Sequence, residues 1–197
     1  MRVTILDYGA GNLHSLEKAL CCAGATVAIE SDPRLAAATD VLVLPGVGAF
    51  STAAEHFAVD REYLHETIAG GLPTLGICLG MQLLFDSSDE GPGRGLGVIP
   101  GSVEKIRAAR IPHIGWNSVS LVPSRRTTAP IETAYFANSY VCRPADESVV
   151  VAWTSQDADE FPAAVRVGNT LGLQFHPEKS SRPGVRVIEH FLTEVAS

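Results

Sequence analysis

A chain of 197 residues with 46% hydrophobic and 19% charged side chains can bury about 70% of the surface its unfolded form exposes, so it needs no disulfide or metal staple. Twenty-two acidic residues against 15 basic ones give a formal charge of -7, which excludes the positive footprint that nucleic acids and anionic membranes require. The length suits one domain, residues 1–197, and would crowd two.

The first half alternates strand and helix signals. Residues 3–6 form a short apolar run that ends at Asp7 and the turn Tyr8-Gly9-Ala10-Gly11. Asp7 comes too early for a signal-peptide core, and no apolar stretch approaches the ~18 residues of a membrane span. Asn12 is a good N-cap, after which Leu13, Leu16 and Leu20 recur at helical spacing until Gly24. Residues 26–29 are β-rich, 33–38 read as a short helix, and 41–44 are a fully apolar strand. The loop Pro45-Gly46-Val47-Gly48 follows. A helix from about Asp60 carries Leu64 and Ile68, residues 72–77 form the next strand, and 79–85 the next helix. Unbroken apolar strands in β-α-β-α order predict an α/β fold, a doubly wound open sheet with a mostly parallel core flanked by helices.

After a polar, Gly-rich loop over 87–97 the character changes. Short strand-like runs at 103–106, 117–122, 135–142, 149–154 and 163–167 read as antiparallel. Residues 171–175 give a last strand, and a closing helix from Gly184 carries Ile188, Phe191, Leu192 and Val195 in an amphipathic stripe.

The four cysteines are Cys21, Cys22, Cys78 and Cys142. None belongs to a C-x-x-C pair, which removes zinc ribbons and thioredoxin-like redox centres, and no metal or other cofactor is implied. Their spacing is not that of a secreted disulfide framework, so a cytoplasmic setting is expected. Cys21, Cys22 and Cys142 read as buried packing residues. Cys78 differs because Gly76-Ile77-Cys78-Leu79-Gly80 has the G-x-nucleophile-x-G form of an elbow between a strand and a helix. The elbow presents a nucleophile at the carboxyl edge of the sheet, with the helix N-terminus favouring thiolate.

A cysteine nucleophile works with a histidine that takes and returns its proton. His14, His56, His65 and His190 fall within helical patterns, and His113 lies in a loop with no carboxylate nearby in sequence. His176 ends a strand, Pro177 stiffens the turn after it, and Glu178 stands two residues away, close enough to orient the ring. Cys78, His176 and Glu178 therefore form a nucleophile-base-orienter set. The Leu79 N–H is the expected first donor to an oxyanion, and the Val47 and Gly48 loop offers the second.

The segments Gly76-Ile77-Cys78-Leu79-Gly80-Met81-Gln82, Pro45-Gly46-Val47-Gly48 and Gln174-Phe175-His176-Pro177-Glu178 together resemble the triad (class I) glutamine amidotransferases. Asp7-Tyr8-Gly9-Ala10-Gly11-Asn12, Pro112-His113-Ile114-Gly115-Trp116-Asn117 and Lys179-Ser180 narrow the resemblance to glutaminase subunits of imidazole glycerol phosphate synthases, which act in histidine biosynthesis. The resemblance implies that Cys78 attacks the side-chain amide of L-glutamine, releasing ammonia and leaving a glutamyl thioester for water to hydrolyse. It implies that Gln82, Asn138, Ser139 and Tyr140 hold the glutamine. It further implies a partner, a (β/α)8-barrel cyclase subunit in a heterodimer. That subunit uses the ammonia to make imidazole glycerol phosphate and aminoimidazole carboxamide ribotide. Asn12, Trp116 and Lys179 match the family's interface positions. Asn138 departs from the family, which usually has histidine there. The alternatives are a triad glutaminase coupled to another synthase, such as that of vitamin B6 biosynthesis, and a non-catalytic binding module on the same fold.

Overall fold

The apolar runs of the first half form the middle of an eight-stranded sheet in the computed structural model, which describes residues 1–9, 13–123, 125 and 129–196. Strands β1 (Arg2–Leu6), β2 (Thr26–Glu30), β3 (Val41–Leu44) and β4 (Thr74–Ile77) alternate with helices α1 (His14–Cys22), α2 (Pro33–Ala37), α3 (Phe50–His56) and α4 (Arg61–Ala69). Helix α5 (Leu79–Gln82) follows β4 almost at once. Next come β5 (Ser87–Ser88), β6 (Gly101–Lys105), β7 (His113–Ser118), β8 (Ser120–Leu121), β9 (Thr133–Asn138) and β10 (Tyr140–Pro144). Strands β11 (Val150–Gln156), β12 (Asp159–Val167) and β13 (Thr170–Leu173) then lead to helix α6 (Ser181–Val195). The large sheet has the order β2-β1-β3-β4-β13-β12-β11-β8. Its first five strands are parallel, and antiparallel pairings add β12, β11 and β8. This is the expected mostly parallel core with antiparallel strands from the second half.

Strands β3, β4 and β13 bury every residue, as strands covered on both faces do. Alternation then sorts their side chains between two cores. Ile5, Val43, Ile77 and Leu173 pack with Leu16 and Leu20 of α1 and Ile188 and Phe191 of α6. Leu6, Leu42 and Leu44 pack with Phe50 of α3 and Leu64 and Ile68 of α4. Among the described residues, no helix is long and apolar enough to cross a membrane.

The structure corrects the sequence reading at several places. Helix α3 was not expected; Phe50, Ala53, Ala54 and Phe57 do have helical spacing, but over only two turns. Helix α5 ends at Gln82 rather than residue 85, because the Leu84 and Phe85 N–H groups turn to the carbonyls three residues back, Met81 and Gln82 (each 3.1 Å). The run 117–122 is divided: β7 pairs with β9, whereas β8 joins the large sheet. The run 135–142 divides likewise, since β9 pairs with β7 and β10 with β6. Helix α6 begins three residues before Gly184. Leu13 occupies the cap position of α1, and the expected cap, Asn12, lies outside the described residues. Cys21 and Cys22 are exposed, because the buried face of α1 carries Leu16, Ala19 and Leu20 and points both thiols outward; Cys142 is buried as expected.

Candidate active site

Parallel strands end together at one sheet edge, and that edge gathers the residues singled out from the sequence. Ile77 pairs with Leu173, so Cys78 and Gln174 leave the sheet side by side, and the Cys78 N–H donates to the Leu173 carbonyl (2.6 Å). Cys78 has φ 48° and ψ -105°, a backbone conformation rare outside glycine and costing about 1–3 kcal/mol. The flanking glycines permit it. A Cβ on Gly80 would collide with the Leu44 carbonyl, and one on Gly76 would lie 2.6 Å from the Gly80 oxygen. A one-turn α5 supplies less dipole at the sulfur than the longer helix expected. Side chains take over that task.

The foremost is His176. Its Nδ1 lies 2.8 Å from Glu178 Oε1, with the two side chains 2% and 8% exposed. Glu178 accepts the Nδ1–H, which fixes the tautomer and leaves Nε2 for Cys78, to which the ring is also hydrogen-bonded. Burial pushes the imidazole pKa down, but the hydrogen bonds and charges of Cys78 and Glu178 outweigh it and raise it from 6.5 to about 9. The ring is thus an imidazolium at neutral pH, a neighbour that favours thiolate. Ser180 Oγ donates to the His176 carbonyl (2.7 Å) and accepts the Tyr135 N–H (2.9 Å), tying this turn to β9.

Opposite stands the loop after β3. A Cβ on Gly46 would lie 3.0 Å from both Cys78 Cβ and His176 Cε1, so only glycine fits there. The buried Tyr8 hydroxyl donates to the Pro45 carbonyl. Burial, and secondarily the charges of Cys78 and Asp7, push the phenol pKa up and keep it a donor.

Cys78, Leu79, Gly48, Gln82, Asn138, Ser139 and Tyr140 line one cleft of about 190 Å³. The Leu79 N–H begins α5 and has no acceptor within its own helix. Val47 does not line the cleft; it packs, partly buried, against the core beneath α1 and α6. A larger open hollow, about 480 Å³ between α3 and residues 92–94, contains none of these residues. Trp116 is 54% exposed on β7, edge-on to Tyr135 at 6.3 Å, with Ile114 63% exposed on the same face. Lys179 is exposed in the turn after Glu178, and Asn12 lies outside the described residues.

His113 is not in a loop. It opens β7, buried and stacked on Phe136 at 5.3 Å, and burial lowers its pKa. It is a core histidine. Three residues at the site escaped the sequence reading. Glu90 lines the cleft, with Oε2 accepting the Phe50 N–H (2.9 Å). Nothing distinguishes it in sequence from its acidic neighbours Asp86 and Asp89. Tyr8 was read only as part of a turn, and Gln174 only as part of the motif around His176.

The family model for glutamine amidotransferase class-I matches residues 4–195. The imidazole glycerol phosphate synthase subunit HisH of Natronomonas pharaonis is 43% identical over 201 residues, covering 96% of this chain and 93% of that protein. The HisH subunit of Sulfolobus acidocaldarius is 42% identical over 200 residues, covering 99% and 97%. Among solved structures, a glutamine amidotransferase superposes with a TM-score of 0.73 at 22% identity, covering 99% of each chain. PurLQS from Thermotoga maritima gives 0.71 at 22% identity over 98% of each. At that identity the likeness concerns the fold.

Proposed function

This chain belongs to the class-I glutamine amidotransferases, and among them to the HisH subunits of imidazole glycerol phosphate synthase, and from that membership we infer that it hydrolyses L-glutamine and delivers the ammonia to a cyclase partner in histidine biosynthesis. The observation that carries the chemistry is the buried set of Cys78, His176 and Glu178 at the carboxyl edge of the sheet.

The Cys78 thiolate attacks the amide carbon of the glutamine side chain, and the carbonyl electrons move onto oxygen. The Leu79 N–H and an N–H of the Val47 and Gly48 loop receive that oxyanion. The His176 imidazolium gives its Nε2 proton to the departing nitrogen, so ammonia leaves and a thioester remains. The neutral ring then takes a proton from water, which attacks the thioester and releases glutamate. Glu178 holds the ring in one orientation throughout and fixes its tautomer when it is neutral. Gln82, Asn138, Ser139 and Tyr140 hold the substrate. Glu90, the acid of the cleft, is matched to the α-ammonium of a free amino acid.

The whole chain acts as one glutamine amidotransferase domain in the cytoplasm. Its ammonia passes to a (β/α)8-barrel cyclase, which docks over Asn12, Trp116 and Lys179. The exposed Ile114 and Trp116 are the apolar part of that surface.

An electrophilic glutamine analogue should label Cys78 alone, and Cys78→Ser should abolish glutamine-dependent synthesis while added ammonia still supports it. Mass spectrometry placing the label on Cys21, Cys22 or Cys142 would overturn the assignment. The exposure of Cys21 and Cys22 makes this a real competition.

A further inference from the structure

Gln174 precedes the histidine of the triad by two residues, yet the reaction as described gives it no task. It is the first residue beyond β13 and is 0% exposed. A side-chain amide so buried is stable only when its donors and its acceptor find partners. Gln174 Nε2 lies 3.6 Å from Cys78 Sγ, within reach of an N–H to sulfur hydrogen bond. Its Oε1 lies 3.4 Å from Gln82 Nε2, and that nitrogen also donates to the Tyr140 backbone carbonyl at 3.0 Å.

The direction of this chain is not arbitrary. A backbone carbonyl can only accept, so Gln82 must turn its NH2 toward Tyr140. The second hydrogen of that NH2 then meets the oxygen of Gln174, which turns the Gln174 NH2 toward the sulfur. Reversing Gln82 would set oxygen against oxygen at Tyr140. Reversing Gln174 would set nitrogen against nitrogen at Gln82 and leave the sulfur facing an acceptor. Asn138 Nδ2 donates to the same Tyr140 carbonyl (3.1 Å), which anchors the relay from a second side. A donor fixed on a sulfur favours the charged thiolate over the thiol.

We propose that Gln174 is a catalytic residue, donating to Cys78 Sγ through an amide relay oriented by Gln82 and anchored on the Tyr140 carbonyl. The inference rests on Cys78 being the nucleophile. The donor serves the thiolate before attack and again as the thiolate is released when the thioester is hydrolysed; in the thioester the sulfur is neutral and the bond weakens. Gln174 thus works on the sulfur from the sheet side, and His176 supplies the mobile proton.

The test is the pH dependence of Cys78 alkylation by iodoacetamide in the full chain, followed on the Cys78 peptide so that Cys21 and Cys22 do not interfere. The titratable groups around the sulfur are His176 with Glu178 behind it, Tyr8, Cys142, and Glu90 and Tyr140 in the cleft. Gln174→Met keeps all of them and removes the donor to the sulfur together with the oxygen that accepts from Gln82. The alkylation midpoint should rise by about one pH unit, with labelling below both midpoints about tenfold slower. Gln82→Leu, which frees Gln174 to reverse, should raise the midpoint by less. An unchanged midpoint in a folded Gln174→Met chain overturns the proposal; should that variant not fold, an unchanged midpoint in Gln82→Leu does so. Iodoacetamide needs no glutamine. A shifted midpoint in a chain that neither reacts with the glutamine analogue nor hydrolyses glutamine in the presence of its cyclase partner therefore removes the substrate reading and leaves the relay, whereas normal glutamine-analogue labelling with no shift removes the relay alone.

Discussion

His176 carries the most heavily perturbed charge at the site, and its perturbation has a sign that can be followed. Its folded pKa of about 9 stands above the ordinary 6.5, because Cys78 and Glu178 together overcome the downward push of burial. The stability that this imidazolium contributes is fully present below pH 6.5 and is lost as the pH rises through about 9. Removing the sulfur leaves burial in place and takes away one hydrogen bond and its charge. In Cys78→Ser the His176 ring should therefore titrate below about 9, read from its carbon-bound proton by NMR as a function of pH. A midpoint that stays in place would mean that Glu178 alone sets the charge. At this scale the sequence was most legible. Glycines two positions either side of Cys78, and a carboxylate two positions after His176, are local patterns that survive without a fold. Glu90 and Gln174 were not legible, because what distinguishes them is distance to Cys78 across the sheet edge, and no spacing along the chain encodes that.

At the scale of elements, the loop after β3 is positioned from outside itself. Tyr8, beyond the end of β1, donates its hydroxyl to the Pro45 carbonyl, one residue before Gly46 wedges between Cys78 and His176. Tyr8→Phe leaves that carbonyl without its donor, at a cost of about 1–3 kcal/mol, which a thermal or urea melt would register. The loop would also lose its register against Leu79. Turnover of glutamine should then fall several-fold with less change in KM, because the oxyanion forms only after the substrate is bound. A change confined to KM would place Tyr8 in substrate binding instead. The strands at the centre of the sheet were legible because burial on both faces leaves an unbroken apolar run, as in β3 and β4. The second half was less so. A run such as 135–142 looks continuous in sequence, yet Ser139 marks a change of partner from β7 to β6, and hydrophobicity alone does not say which ladder a strand joins.

At the scale of the molecule, the site lies at the edge of a sheet whose two cores are already filled, so any further control must come from the surface around that edge. The β7 and β9 ladder provides such a surface. Its outer face exposes Trp116 and Ile114, while its other strand holds Asn138 in the cleft and, through Tyr135, receives the His176 N–H (2.8 Å). A partner that packs on Trp116 therefore presses on the same two strands that line the cleft and fix the His176 turn. Hydrolysis by the free chain should be slow and should rise when a cyclase subunit carrying its own ligand docks there. Steady-state glutamate release with and without that subunit measures this, and equal turnover would remove the coupling. Trp116→Ala should weaken assembly by about 2 kcal/mol, roughly 30-fold in Kd by calorimetric titration, if this exposed aromatic is an anchor of the proposed interface. The two measurements separate docking from activation. If Trp116→Ala weakens assembly but the saturated complex turns over normally, the tryptophan only anchors the partner; if saturation fails to restore turnover, the β7 face itself transmits the signal to the cleft.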